Sequence, residues 1–143
     1  GNYGALEAFA SIQALEKQAR SQLKLGRQST LNAIVGDPDQ VTFDQLLKAL
    51  AEEDSFVREL FTHSASYLGV GLANLVNVLH PEKVILGGAL LSAHEEAFSI
   101  ATQVAARHVY HSDEYQPEFG KGTLQEDAVS FGAALMVYRG LKV

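Results

Sequence analysis

The sequence has no cysteine. That absence excludes disulfides, thiolate zinc sites and a cysteine nucleophile from these residues. No run comes near the ~18 consecutive apolar residues that a spanning helix needs, and the first residues lack the basic-then-apolar order of a secretory signal. Basic charge is also scarce, with 11 Lys and Arg against 17 Asp and Glu and a net charge of −6. These charges are scattered, which favours solubility and leaves no nucleic-acid footprint here. No membrane role is expected, and the cytoplasm is the expected compartment.

Hydrophobic residues make up 47% of the 143 positions, enough for one ordinary core and too few for two. From Ala5 to Leu25 the residues Phe9, Ile12, Leu15, Ala19 and Leu23 recur at spacings of three and four, which predicts a helix closed by Gly26. Leu31 to Val35 is a short apolar piece ended by Gly36 and Asp37-Pro38-Asp39. Thr42 and Gln45 form a capping box, with Val41 and Leu46 placed as a hydrophobic staple, so a helix starts near Phe43. Asp54 is suited to cap a long helix through Leu79, about 25 residues and roughly 37 Å. That helix is nearly uncharged after Glu59, which predicts burial on most sides. His80-Pro81 stops it.

Lys83 to Leu86 reads as a short buried strand ending in Gly87-Gly88. Ser92 and Glu95 suggest a second capping box, opening a helix to about Val109. Glu118 to Leu124 reads as a weaker strand, and Asp127 is placed to cap a last helix through Phe131, Leu135 and Tyr138. Strand, helix, strand, helix implies a short parallel pair with a crossover. Two parallel strands alone are not stable in water, so further strands are expected upstream. The abrupt start at Gly1 fits that expectation of a fragment.

Three stretches carry a resemblance in the right order. GNYGALE resembles the end of the CxCGxxGCxE signature of the ROK family of repressors, open reading frames and kinases. LGVGLANLVNVLHPEKVILGGALL is similar to the family's long helix and glycine-pair strand, and LQEDAVSFGAAL to its final strand-to-helix passage. The implied fold is α/β: part of an actin-like, ribonuclease H-like ATPase lobe, mostly helical with a short parallel strand pair. Residues 1–143 would then be a single-domain C-terminal piece whose upstream lobe is absent.

The resemblance implies that Glu7 accepts hydrogen bonds from sugar hydroxyls. From the residues alone, Glu7 is equally a carboxylate at the third position of a helix capped by Gly4, where the dipole favours it. Gly87 and Gly88 would belong to a nucleotide-binding region, vestigial in a non-kinase; a tight strand-to-helix turn is the alternative. The family's zinc signature is broken, since Ala5 stands at the cysteine position, so no zinc is expected. His108 and His111, a close pair beside a helix end, read as surface residues.

Gly120-Lys121-Gly122-Thr123 looks like a phosphate loop but has Tyr115 where the first glycine belongs and Gly122 where a hydroxyl belongs. Kinase members carry the catalytic aspartate upstream, so no catalytic residue is assigned here.

The resemblance therefore implies the sugar-effector-binding region of a NagC/XylR-type repressor of carbohydrate metabolism. The alternative is a fragment of a glucokinase-like sugar kinase using ATP and magnesium. Expected partners are a sugar or sugar phosphate and a second copy of the chain, docked through the apolar terminal helix. DNA would be reached only through an upstream helix-turn-helix.

Overall fold

In the computed structural model, placement is described for residues 2–110, 115, 117–122 and 131–140. The element order is β1 (Asn2–Ser11), α1 (Ile12–Lys24), α2 (Leu31–Ile34), a 3-10 turn (Pro38–Gln40), α3 (Phe43–Ala51), α4 (Ser55–Leu79), β2 (Lys83–Gly87), α5 (Ala89–Ala93), α6 (Ala97–His108), β3 (Glu118–Lys121) and β4 (Phe131–Gly140).

α4 organises the core. Asp54 caps it by accepting from the Val57 N–H at 3.0 Å. Its end is set by His80, which turns left-handed at φ 46° before Pro81. Between them the helix buries Phe56, Val57, Phe61, Ala65, Leu68, Leu72 and Val76, among others, so its apolar character is spent on contacts to several elements.

α6 lies along α4 in the same direction. Arg58 pairs with Glu96 near one end, and the Asn77 side chain donates to the His108 carbonyl near the other. The close approach is possible because residue 69 is glycine: a Cβ there would lie 2.6 Å from the Ala101 carbonyl oxygen.

The sheet has the order β1-β4-β2-β3. β2 and β3 form the predicted parallel pair, from Lys83 opposite Glu118 to Leu86 opposite Lys121. β4 pairs antiparallel with β2 on one side and with β1 on the other. The strands needed beside the parallel pair are thus supplied within these residues. Val84, Leu86, Leu135 and Val137 are buried and join the helical residues in one core.

Three sequence expectations need correction. The first helix does not begin at Ala5, because residues 2–11 are paired as β1 and helix starts only at Ser11, whose hydroxyl oxygen accepts from the Ala14 N–H. The final helix through Phe131, Leu135 and Tyr138 is instead β4, the inner strand of the sheet. Its residues Ala133, Ala134 and Leu135 are fully buried, so it offers no apolar helix face for a second copy. Ser92 lies inside α5, and α6 starts after Glu96 with no side-chain cap. Asp127 lies outside the described residues.

Candidate functional site

The sequence points to the end of β2. Gly87 is the last residue of the strand and pairs with Ala134 of β4. Gly88 follows at φ 116°, a region that L side chains rarely adopt, and turns the chain into α5. Space is a second constraint there, since a Cβ on residue 88 would lie 2.8 Å from the Gly132 carbonyl oxygen and 3.0 Å from Ala133 Cα. Gly88 is therefore required by the packing of this turn on β4, whatever binds nearby.

Glu7 reaches the same region by register. It pairs with Leu135, which on its other side pairs with Leu86. The neighbouring row is Ala8, Ala134 and Gly87. Two interstrand spacings place the backbones of Glu7 and Gly87 about 10 Å apart across β4. Glu7 sits within a strand and not in the first turn of a helix, so the helix dipole is no longer a reason for a carboxylate at this position.

Beyond α5, His94 is 5% exposed and lines a cavity of about 630 Å³ with Leu47, Leu50, Ala93 and the Arg58–Glu96 pair. Its Nε2 lies 3.3 Å from the Thr62 hydroxyl, and the Phe61 ring meets it edge-on at 6.3 Å. Burial pushes its pKa below the ordinary value; Glu96 acts to raise it and Arg58 to lower it. Sequence reasoning missed this residue, because a lone histidine between two short helices carries no spacing signal.

Asp54 was legible as a cap, but its wider role was not. Oδ1 accepts from the Thr30 N–H and Oδ2 from the Ser29 hydroxyl, which fastens the α1–α2 loop onto α4. Burial acts to raise its pKa, and the bonds from Thr30, Val57 and Ser29 outweigh that and hold it below the usual carboxylate value.

A second cleft, about 560 Å³, runs between α1 and α4 and includes Arg27, Glu59, His63 and Tyr67.

Among the described residues no group of three or more His, Cys, Asp or Glu is placed to hold a metal ion. His108 ends α6, and His111 lies outside the described residues. The glycines of the phosphate-loop look-alike have another cause. Cβ atoms on Gly120 and Gly122 would fall 2.8 and 2.7 Å from the Ile85 side chain, so both positions make room for Ile85. Lys121 is exposed on β3, the sheet edge, as expected of a residue that discourages edge pairing. No described helix is long and apolar enough to cross a membrane.

Comparison with known proteins places this geometry in a family. The sequence model described as the ROK family matches residues 1–139. A glucokinase of Halalkalibacterium halodurans is 28% identical over 137 residues, covering 96% of this chain and 42% of the relative. A xylose repressor of Caldicellulosiruptor bescii is also 28% identical over 137 residues, covering 96% of this chain and 34% of the relative. Among solved structures, a ROK family transcriptional regulator described as a homologue of Escherichia coli Mlc superposes with a TM-score of 0.65 at 21% identity, over 86% of this chain and 30% of that one. The chain thus spans well under half the length of these relatives.

Proposed function

The chain belongs to the ROK family, and from that premise we propose that it is the effector-binding part of a NagC/XylR-type repressor of carbohydrate metabolism, with Glu7 accepting hydrogen bonds from sugar hydroxyls. The observation that carries the reading is the register placing Glu7 two interstrand spacings from the carboxyl end of β2, across β4. Ligands of α/β folds collect at that end of the strands. A carboxylate there can take two hydroxyl donors in fixed geometry. Contact with DNA is assigned to residues outside this chain, in line with its net charge of −6. The site works without zinc, any nucleotide contact at Gly87-Gly88 is a relic, and the protein assembles as a homodimer.

Titration calorimetry of the chain with xylose, glucose and N-acetylglucosamine tests the sugar role. One of them should bind, and Glu7→Gln should weaken that binding by about 1 to 3 kcal/mol. Unchanged affinity in the variant would remove Glu7 from the site.

The glucokinase relative keeps a second reading in play, a sugar kinase in which Gly87 and Gly88 approach bound ATP. A coupled assay with each sugar, ATP and magnesium separates the two when it is run on a protein that includes the upstream residues where kinase members carry the catalytic aspartate. The repressor reading requires no turnover above background.

A further inference from the structure

The cleft between α1 and α4 belongs to neither Glu7 nor the glycine pair, and its lining is unusual. α1 and α4 run antiparallel, because Arg27, just beyond the end of α1, meets Phe56 and Glu59 in the first turns of α4. The Arg27 guanidinium lies 5.1 Å over the Phe56 ring and donates to Glu59 at 2.6 Å. That bond holds the Glu59 carboxylate charged, with its pKa below the usual value, and His63 Nε2 stands 3.7 Å from its other oxygen. One end of the cleft is thus a braced acceptor.

The other end is Tyr67, an aromatic side chain 76% exposed, with no ring or hydroxyl partner among the described residues. Gln18 and Gln22 line the α1 wall, and their amides make no side-chain hydrogen bond among the described residues. From Glu59 to Tyr67 the helix rises about 12 Å, the length of about two or three linked pyranose rings.

Charge and shape narrow the occupant. Arg27 and Glu59 neutralise each other, so no cation is selected, and Lys17 on the α1 wall is a single exposed donor and not an anion-binding cluster. The polar side chains of Lys17, Gln18, Ser21 and Gln22 break up the apolar surface of Phe56, Leu60 and Tyr67, which disfavours an apolar peptide helix. An open aromatic face beside free amides and a fixed carboxylate suits a ligand that is apolar on one side and rich in hydroxyls at its edge. We infer that the α1–α4 cleft is a binding site for a neutral oligosaccharide, stacked on Tyr67 and held through Gln18, Gln22 and Glu59, separate from the Glu7 site.

The test is a nuclear magnetic resonance titration of isotope-labelled chain with maltotriose. Saturable shifts in the millimolar range should centre on Gln18, Gln22, His63 and Tyr67. Tyr67→Ala should weaken binding by about tenfold, the equivalent of ~1.4 kcal/mol. Tyr67→Phe should retain binding, and Glu7→Gln should leave these shifts unchanged. Tyr67 is exposed, so both of its variants should fold, which their own spectra verify. Shifts absent from the cleft, confined to β1 and β2, or undiminished in Tyr67→Ala would overturn the inference. Because Glu7→Gln acts only on the first site, failure of one reading leaves the other standing.

Discussion

Two adjacent residues, Glu53 and Asp54, show how much one position can carry. Asp54 is 7% exposed, and its two oxygens accept from Ser29, Thr30 and Val57, so one carboxylate caps α4 and anchors the preceding loop. Asp54→Ala would leave the Thr30 and Val57 N–H groups without this acceptor and lose a charge-assisted set of bonds. The expected cost is about 2 to 3 kcal/mol, read from the midpoint of a urea melt. Ser29→Ala removes two bonds, the one donated to Asp54 and the one accepted from the Leu31 N–H, and should cost about 1 to 2 kcal/mol.

Glu53 is the opposite case. It occupies the left-handed region at φ 62°, with its N–H on the Leu50 carbonyl and the Asp54 N–H on the Ala49 carbonyl, the pattern that usually places glycine at a helix end. α1 uses glycine at the same place, Gly26 at φ 99°. The left-handed region costs an L side chain roughly 1 to 2 kcal/mol, and glycine's extra unfolded-state entropy returns roughly half of the gain. Glu53→Gly should therefore stabilise by about 0.5 to 1 kcal/mol with an unchanged urea slope, and a loss of stability would refute this account.

Among elements, the contact between α4 and α6 has the least tolerance. A Cβ at Gly69 would lie 2.6 Å from the Ala101 carbonyl oxygen and 2.7 Å from Val104 Cβ. The first obstacle is backbone, so Gly69→Ala must part the helices, at a cost of about 1 to 3 kcal/mol. Adding Val104→Ala trims the Val104 branch but not Cβ or the Ala101 carbonyl, so the double variant should recover little. Full recovery would mean the carbonyl contact does not limit the approach. The same elements show where sequence was legible. α4 was bounded correctly because a cap at Asp54 and a stop at His80-Pro81 are local signals. Gln45 bonds the Thr42 N–H at 2.9 Å, and the parallel pairing of β2 with β3 followed from strand and crossover order.

The misread elements are those whose state depends on distant partners. Residues 131–138 form an unbroken run without charge, which a buried helix and a buried strand share, so periodicity cannot decide between them. Pairing on both edges decides it in favour of a strand. Residues 5–10 continue the spacing of α1 on paper, but β4 offers them a ladder, and tertiary pairing overrides the local stripe. The candidate site was legible as single residues and not as geometry. Glu7, Gly87 and Gly88 could be named from the chain, whereas their shared strand rows needed β1 and β4 to be strands.

At the scale of the whole molecule, acid should weaken the fold in two separable steps. His94 has a folded-state pKa below its ordinary value of 6.5, chiefly through burial. Once the pH falls below about 6.5 the unfolded chain binds that proton more readily, so the contribution is present above 6.5 and lost as pH falls toward the folded pKa. Asp54 also has a lowered pKa, from an ordinary value of 3.8, because its hydrogen bonds outweigh its burial. Its contribution is present above 3.8 and lost on further acidification, so both groups give stability that rises with pH. Urea melts from about pH 8 down to about pH 3 should show a first decline starting near 6.5 and a second one below about 4. His94→Gln retains a polar partner for Thr62 and should flatten the first decline only. Asp54→Asn should flatten the second and lower stability at neutral pH. A fold that grew more stable from pH 7 to 5, or a first decline unaltered in His94→Gln, would show that the buried imidazole is not the group that senses the acid.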